Sequence, residues 1–258
     1  MSTTNAAISL ERPSLTRDWS LRSWSLYVLL PVLIFAVVLA ARYAGGEVTY
    51  WVLESPVGVR ESLTGALAFV AGIVSLVAFF QPSIRHNWKV RTWLLLFFIG
   101  MIYFVGEDLN WGQYYFGWVA PEFFQAHNRE HETNLHNMSP WFNQKPRLVV
   151  ELWLLITCIA VPVGWRLPQR LTAKFLPATF WPDARLVLIA GMALLIKVPD
   201  WLAGHSIGPA IRWSEVQELY FAYAWLLYAF LLLARCGPPS KGSSPGGTIF
   251  PSRSGVWG

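Results

Sequence analysis

The chain has 258 residues, 54% of them apolar and only 14% charged, with 15 tryptophans and a mean hydropathy of +0.39. Soluble globular chains are about a quarter charged, so this composition excludes an ordinary soluble domain and points to a membrane protein. The formal net charge of +5 would suit nucleic acid only if Lys and Arg clustered on one face, and here they fall between apolar runs; two cysteines exclude a disulfide framework or a Cys-rich metal site.

Crossing roughly 30 Å of hydrocarbon takes about 20 apolar residues. Runs of this kind lie near 24–43, 62–80, 92–106, 148–165, 186–203 and 217–235. The expected fold is an all-α integral membrane protein, a bundle of about six transmembrane helices with a long outer, periplasmic loop that is interfacial and helical. Residues 1–23 form a cytoplasmic tail, 24–235 the six-span domain including outer loop 107–147, and 236–258 a disordered cytoplasmic tail rich in Gly, Pro and Ser. The first run follows Arg12, Arg17 and Arg22 but is longer than the apolar core of a secretory signal, so it is taken as a retained span.

Orientation follows from the basic residues in the loops. The N-tail, 81–91, 166–185 and the C-tail hold thirteen of the twenty Lys and Arg, and the alternate loops hold six. Both termini are therefore expected in the cytoplasm. Tryptophans near both sets of span ends, such as Trp24 and Trp88 on one side and Trp51 and Trp118 on the other, match aromatic interface belts.

The outer loop 107–147 is longer than an ordinary connection. It opens with Glu107, Asp108, Trp111 and Gln113, and continues through Asn128, Glu132, His136 and Asn137. Aromatic residues between Tyr114 and Phe124 suggest an interfacial or re-entrant piece. The polar run after them has no breaker before Pro140, which predicts a helix over about 122–138. On such a helix His127, His131 and Asn134 share one face, while Asn128, Glu132 and His136 share another. The first face offers a His-x-x-x-His metal spacing; the second offers a carboxylate and an imidazole one turn apart, suited to acid–base work or to hydrogen-bonded structure.

A second signal is distributed along the chain. Glu61, Glu107, Asp108, Glu151, Lys197 and Glu218 all fall near outer span ends. Ionisable groups at that depth are costly unless they face the bundle interior or a wet cavity. They predict a polar cavity in which Glu107, Glu151, Lys197 and Glu218 approach one another, with Lys197 offsetting the acids. Helix N-termini favour Glu61 and Glu218 in any case, but that account does not extend to Lys197. Gly65, Gly72, Ala66 and Ala68 predict close helix packing in the second span.

Glu107-Asp108 followed by Trp111-Gly112-Gln113, then Glu132, Asn134, Leu135, His136 and Asn137, resembles the signature of an uncharacterised family of bacterial polytopic inner-membrane proteins. Glu54 and Glu61 resemble the acidic pair such proteins carry before the second span. The resemblance covers about 30 residues and brings no established activity. It implies a site on Glu132 and His136 rather than on His127 and His131.

Two functions are expected from these residues. The first is a hydrolase or transferase acting on a lipid or lipid-linked head group, with Glu107, Asp108, Glu132 and His136 catalytic. Substrate would be held by Trp111, Gln113, Asn128, Asn137, Glu61, Glu151, Lys197 and Glu218. A divalent metal is an alternative on these donors, with no ligand set assigned. The second is a non-enzymatic lipid or solute binder or transporter, or an accessory subunit of a membrane complex. The lipid bilayer is the expected partner, with a lipid head group or small polar ligand in the cavity, and nucleic acid is excluded.

Overall fold

The computed structural model describes residues 20–160, 180–198 and 212–237. Every regular element among them is helical. In chain order these are α1 (Leu21–Ala44), α2 (Gly46–Thr49), α3 (Val59–Phe79), α4 (Trp88–Asp108), α5 (Gln113–Phe116), α6 (Glu122–His127), α7 (Pro140–Trp153), α8 (Val187–Leu195) and α9 (Trp213–Cys236). A π turn, Tyr50–Glu54, follows α2, and another, Leu154–Ala160, extends α7.

Among the described residues, four segments are long and apolar enough to cross a membrane: α1, the stretch Gly46–Phe79 that contains α3, α4 and α9. The fourth and fifth expected spans run past the described residues, at 161–165 and 199–203 respectively, and their described parts are α7 with its π turn and Ala184–Leu195. The fourth helix begins at Pro140, eight residues before the apolar run at 148. Proline at the first helical position needs no N–H partner, so the start costs nothing. Most of the expected tails, 1–19 and 238–258, lie outside the described residues.

The bundle is organised around α9. In its most apolar stretch 67% of residues are buried, against 17% for α1. It packs chiefly against α3, which in turn packs against α4, and α8 lies on its other flank. Helices in lipid approach closely where small residues line the contact. On α3, Gly65, Ala68, Ala71, Gly72, Ser75 and Ala78 form that buried stripe. A Cβ on Gly65 would stand 2.7 Å from Leu109 Cδ1, and one on Gly72 would stand 3.1 Å from Met101 Cβ. Ala66, expected in this contact, is exposed; it lies off the stripe by one residue.

Several buried polar groups are satisfied across helices. Ser75 Oγ donates to Leu94 O at 2.8 Å, and Tyr228 OH donates to Phe180 O at 2.8 Å while accepting from Trp93 Nε1 at 3.1 Å. In α1 a π turn spans Ser25–Leu29. Leu30 N–H pairs with Ser25 O and Pro31 has no N–H, so the Leu26 carbonyl is supplied from another helix: Tyr223 OH donates to it at 2.6 Å. Tyr220 OH donates to Pro31 O at 2.7 Å.

The helices alternate in direction, which gathers their termini at two ends. One end holds the α1–α3 connection, the segment from Leu109 to Ser139, and the start of α9. The candidate site lies there.

Candidate functional site

The site begins where α4 stops. Asn110, Trp111 and Gly112 have φ of 51°, 53° and 87°, three left-handed residues in succession that fold the chain back over the helix end. Asn tolerates this conformation and glycine adopts it freely, whereas for Trp111 it is strained. The indole is held by Nε1 donating to Glu107 Oε1 at 3.2 Å. It lies against Gly106, where a Cβ would meet ring carbons at 2.7 Å.

The expected helix over 122–138 does not form as such. Helix α6 ends at His127, and Asn128 turns extended at φ −92° and ψ 130°. The Asn128 side chain is the cause: its Oδ1 accepts N–H from Glu130 at 2.9 Å and Glu132 at 3.3 Å, offering the backbone an alternative to the helical ladder. The faces inferred from helical spacing are therefore absent. His127 and His131 are exposed, and their rings bond the carbonyls of Phe123 and Gln125 at 2.9 and 2.8 Å. Among the described residues, no three His, Cys, Asp or Glu side chains gather as a metal-ligand set.

What forms instead is a knot of amides and carboxylates. Glu132 is buried and accepts from Tyr114 OH at 2.7 Å, Asn134 Nδ2 at 3.0 Å and Asn137 Nδ2 at 2.9 Å. Asn128 Nδ2 donates to Asn134 O and Oδ1, both at 2.8 Å, and Asn134 Nδ2 also donates to Asn110 Oδ1. Gln113 Oε1 accepts from Thr133 N at 2.7 Å and Thr133 Oγ1 at 2.8 Å. Glu107 Oε2 accepts the backbone N–H of Leu135 at 2.7 Å and of His136 at 3.0 Å. Glu107, Glu132, Asn128, Asn137, Trp111 and Gln113 thus fasten residues 128–137 onto the end of α4. His136 faces Glu107, with Nδ1 3.7 Å from Oε2, and not Glu132 one presumed turn away.

Two of these groups lie in the loop and show shifted proton affinity. Burial of His136 works against its charged form, but the facing Glu107 carboxylate and those of Glu218 and Glu132 outweigh it and raise the imidazole pKa. Burial, then the hydrogen bond to Glu132, raises the Tyr114 phenol well above its ordinary value.

Ion pairs tie the helix ends together beside this knot. Arg60, buried at the start of α3, stands 2.8 Å from Glu61 Oε2 and 2.6 Å from Glu215 Oε2, and its Nε donates to Leu53 O at 2.9 Å. The Glu215 contact is an ion pair without hydrogen-bonding angles, and Arg212 pairs with the other Glu215 oxygen at 2.9 Å. Arg147 pairs with Glu218. Lys197 Nζ is 3.8 Å from Glu151 Oε1, which also accepts from Gln217 Nε2 at 3.0 Å. Lys197 meets an acid as expected, whereas Arg60 and Arg147, two of the six cations of the alternate loops, form ion pairs that the loop count does not indicate. A signal for Arg60 was present: a cation in the first turn of a helix opposes the helix dipole, so it needs a carboxylate partner.

Between α4, α7 and α9 lies a cavity of about 100 Å³. Its polar lining is Glu107, Asp108, His136, Asn143, Arg147 and Glu218; its aromatic lining is Tyr103, Phe104, Phe142, Phe221 and Trp225. Of the groups expected to meet a substrate, Glu218 lines this cavity. Glu61 pairs with Arg60, and Glu151 pairs with Lys197. Asp108 is 9% exposed, and its Oδ2 has no hydrogen-bond donor among the described residues.

No family model, no curated protein and no solved structure matches this chain.

Proposed function

We propose that the protein is a six-span bacterial inner-membrane protein, with both termini cytoplasmic, that binds the polar head of a lipid or a small solute in this cavity. Membership of the polytopic family whose signature residues 107–137 resemble is part of the same reading. The cavity carries it: its lining is divided between charged and amide groups and aromatic rings. That division suits a ligand with a polar head and an apolar remainder. The fastened loop keeps the polar lining in place through Glu107 and His136. Tyr115, Phe116, Trp118, Val119 and Phe123 are exposed beside it, an apolar edge fit to rest in the membrane interface.

Binding fits the geometry better than the four-residue catalytic arrangement. Glu107 and Glu132 each accept three hydrogen bonds from residues between Trp111 and Asn137, so their oxygens are committed to structure. A second reading, hydrolysis or transfer at the bound head group, rests on the His136 ring at the cavity wall, where it can exchange a proton.

The test is occupancy. Native mass spectrometry of the full chain released from nanodiscs should retain a bound lipid or solute. Val150→Trp, which fills the cavity from α7, should release it. Retention in that variant, or no bound species in the parent protein, overturns the binding reading. Turnover of a retained lipid that His136→Gln abolishes would favour the second reading.

A further inference from the structure

We infer that the cavity takes the ammonium group of an organic amine, with the Asp108 carboxylate as its counter-ion. The inference rests on the binding reading above and specifies its ligand.

The charge balance at this end of the bundle is the first observation. Glu61, Glu107, Asp108, Glu215 and Glu218 meet there, and Asp108 lies within electrostatic reach of Glu61, Glu215 and Glu218 as well as of Arg60. Arg60 is shared by Glu61 and Glu215, Arg147 pairs with Glu218, and Arg212 pairs with Glu215 at the exposed rim. Glu107 is served by two backbone N–H groups, the Trp111 indole and His136. Asp108 is left over. A buried carboxylate oxygen without a donor, as Asp108 Oδ2 is, costs far more than a paired one, so the site is completed by a positive charge or by a proton that such a charge displaces.

The second observation is what surrounds Asp108. It lines the cavity together with the rings of Tyr103, Phe104, Phe142, Phe221 and Trp225. Aromatic faces attract organic cations, and aromatic walls with one carboxylate are the recognised way to hold alkylated ammonium groups. A hard metal ion needs six or more oxygen ligands, or an octahedron largely of water, and the ring-lined wall does not supply them. At about 100 Å³ the cavity is several times the roughly 10–15 Å³ that one water needs. That admits the ammonium end of a molecule and leaves the remainder outside.

The ammonium can belong to a lipid head group or to a free amine. Both are tested on the full chain in nanodiscs of phosphatidylglycerol. Choline and ethanolamine are titrated calorimetrically beside 3,3-dimethylbutanol, the uncharged isostere of choline. Nanodiscs containing phosphatidylethanolamine are compared with phosphatidylglycerol alone by native mass spectrometry.

Choline or ethanolamine should bind at least tenfold more tightly than the isostere if free amines are ligands. Selective retention of phosphatidylethanolamine identifies the lipid source. In either case Asp108→Asn should weaken binding at least tenfold, while Glu130→Gln, at an exposed acid, should not. Equal binding of choline and its isostere, with no preference for phosphatidylethanolamine, overturns the inference in wild-type protein alone. So does unchanged amine binding by folded Asp108→Asn. If lipid or alcohol is still displaced by Val150→Trp, the cavity remains a binding site and only the ammonium assignment falls; if nothing binds in any arm, both fall.

Discussion

Arg60 Nη2 stands 2.6 Å from Glu215 Oε2, joining the first turn of α3 to the first turn of α9. The same guanidinium reaches Glu61 at 2.8 Å and the Leu53 carbonyl at 2.9 Å. Removing one partner of a buried ion pair strands the other's charge and costs about 3–5 kcal/mol. Arg60→Ala should therefore destabilise the protein by about that much in thermal or denaturant unfolding in detergent. Replacing Arg60, Glu61 and Glu215 together with apolar residues of similar volume should recover much of the loss. If Arg60→Ala unfolds like wild type, this pair is not holding the helix ends.

The Glu107 carboxylate fastens the loop through the amides of Leu135 and His136. Glu107→Gln removes the charge and sets an NH2 group against at least one of the N–H donors that the carboxylate now accepts, for a loss of about 1–3 kcal/mol. Hydrogen exchange at those two amides should accelerate by about 10- to 100-fold, at 1.4 kcal/mol per factor of ten. His131→Ala, at an exposed ring, should leave them unchanged.

His136 has a pKa raised above the ordinary 6.5 by the facing Glu107 carboxylate and by other nearby carboxylates, against the opposing effect of burial. A raised folded-state pKa contributes stability that is fully present below the unfolded pKa and is lost as pH rises through the folded one. The stability difference between wild type and His136→Gln should be largest on the acid side of 6.5 and shrink as pH increases above it. Unfolding temperatures of both proteins between about pH 5 and 8 check this, and a difference that grows with pH contradicts the assignment.

Gly106 makes room for the Trp111 indole, with ring carbons 2.7 Å from where a Cβ would stand. A fused ring cannot yield as an aliphatic side chain can, so Gly106→Ala should cost about 1–3 kcal/mol and displace the indole from Glu107. Gly100 on the same helix has open space at that position. Gly100→Ala should be neutral or slightly stabilising in the same unfolding assay.

Orientation is open to a separate test. Reporter fusions after Gly237 and within 81–91 should score as cytoplasmic, and a fusion near Asn137 as periplasmic. An inward Asn137 inverts the arrangement and places the cavity on the other face of the membrane.

The apolar runs at 24–43, 62–80, 92–106 and 217–235 correspond to α1, α3, α4 and α9 within four residues at each end. Runs of that length have few alternatives, since lipid requires every backbone group to be satisfied within the helix. The loop was less legible because its structure depends on side chains that compete with the backbone. Asn128 stops the helix by capturing two N–H groups, which hydrophobic periodicity does not register. The paired glutamates were visible as charges at one depth. Their partners Arg60 and Arg147 were hidden because a count of loop cations assigns a side of the membrane and never a contact. Asn110 and Tyr114 are unremarkable outside the folded loop, and Asn134, present in the signature, carries no sign there of its bonds to Asn110, Asn128 and Glu132.

The Tyr223 hydroxyl that serves the Leu26 carbonyl has a consequence for biogenesis. Helix α1 reaches the membrane first among the described helices, carrying a carbonyl whose donor is nearly two hundred residues downstream. Tyr220, from the same later helix, adds a second such bond at Pro31. Until α9 is synthesised and inserted, α1 holds polar backbone that its own sequence cannot satisfy, and it has little buried surface to keep it in register. A ribosome stalled before residue 213 would therefore leave the Leu26 and Pro31 carbonyls without these donors, although Thr49 and Glu54 already hold the other end of the helix.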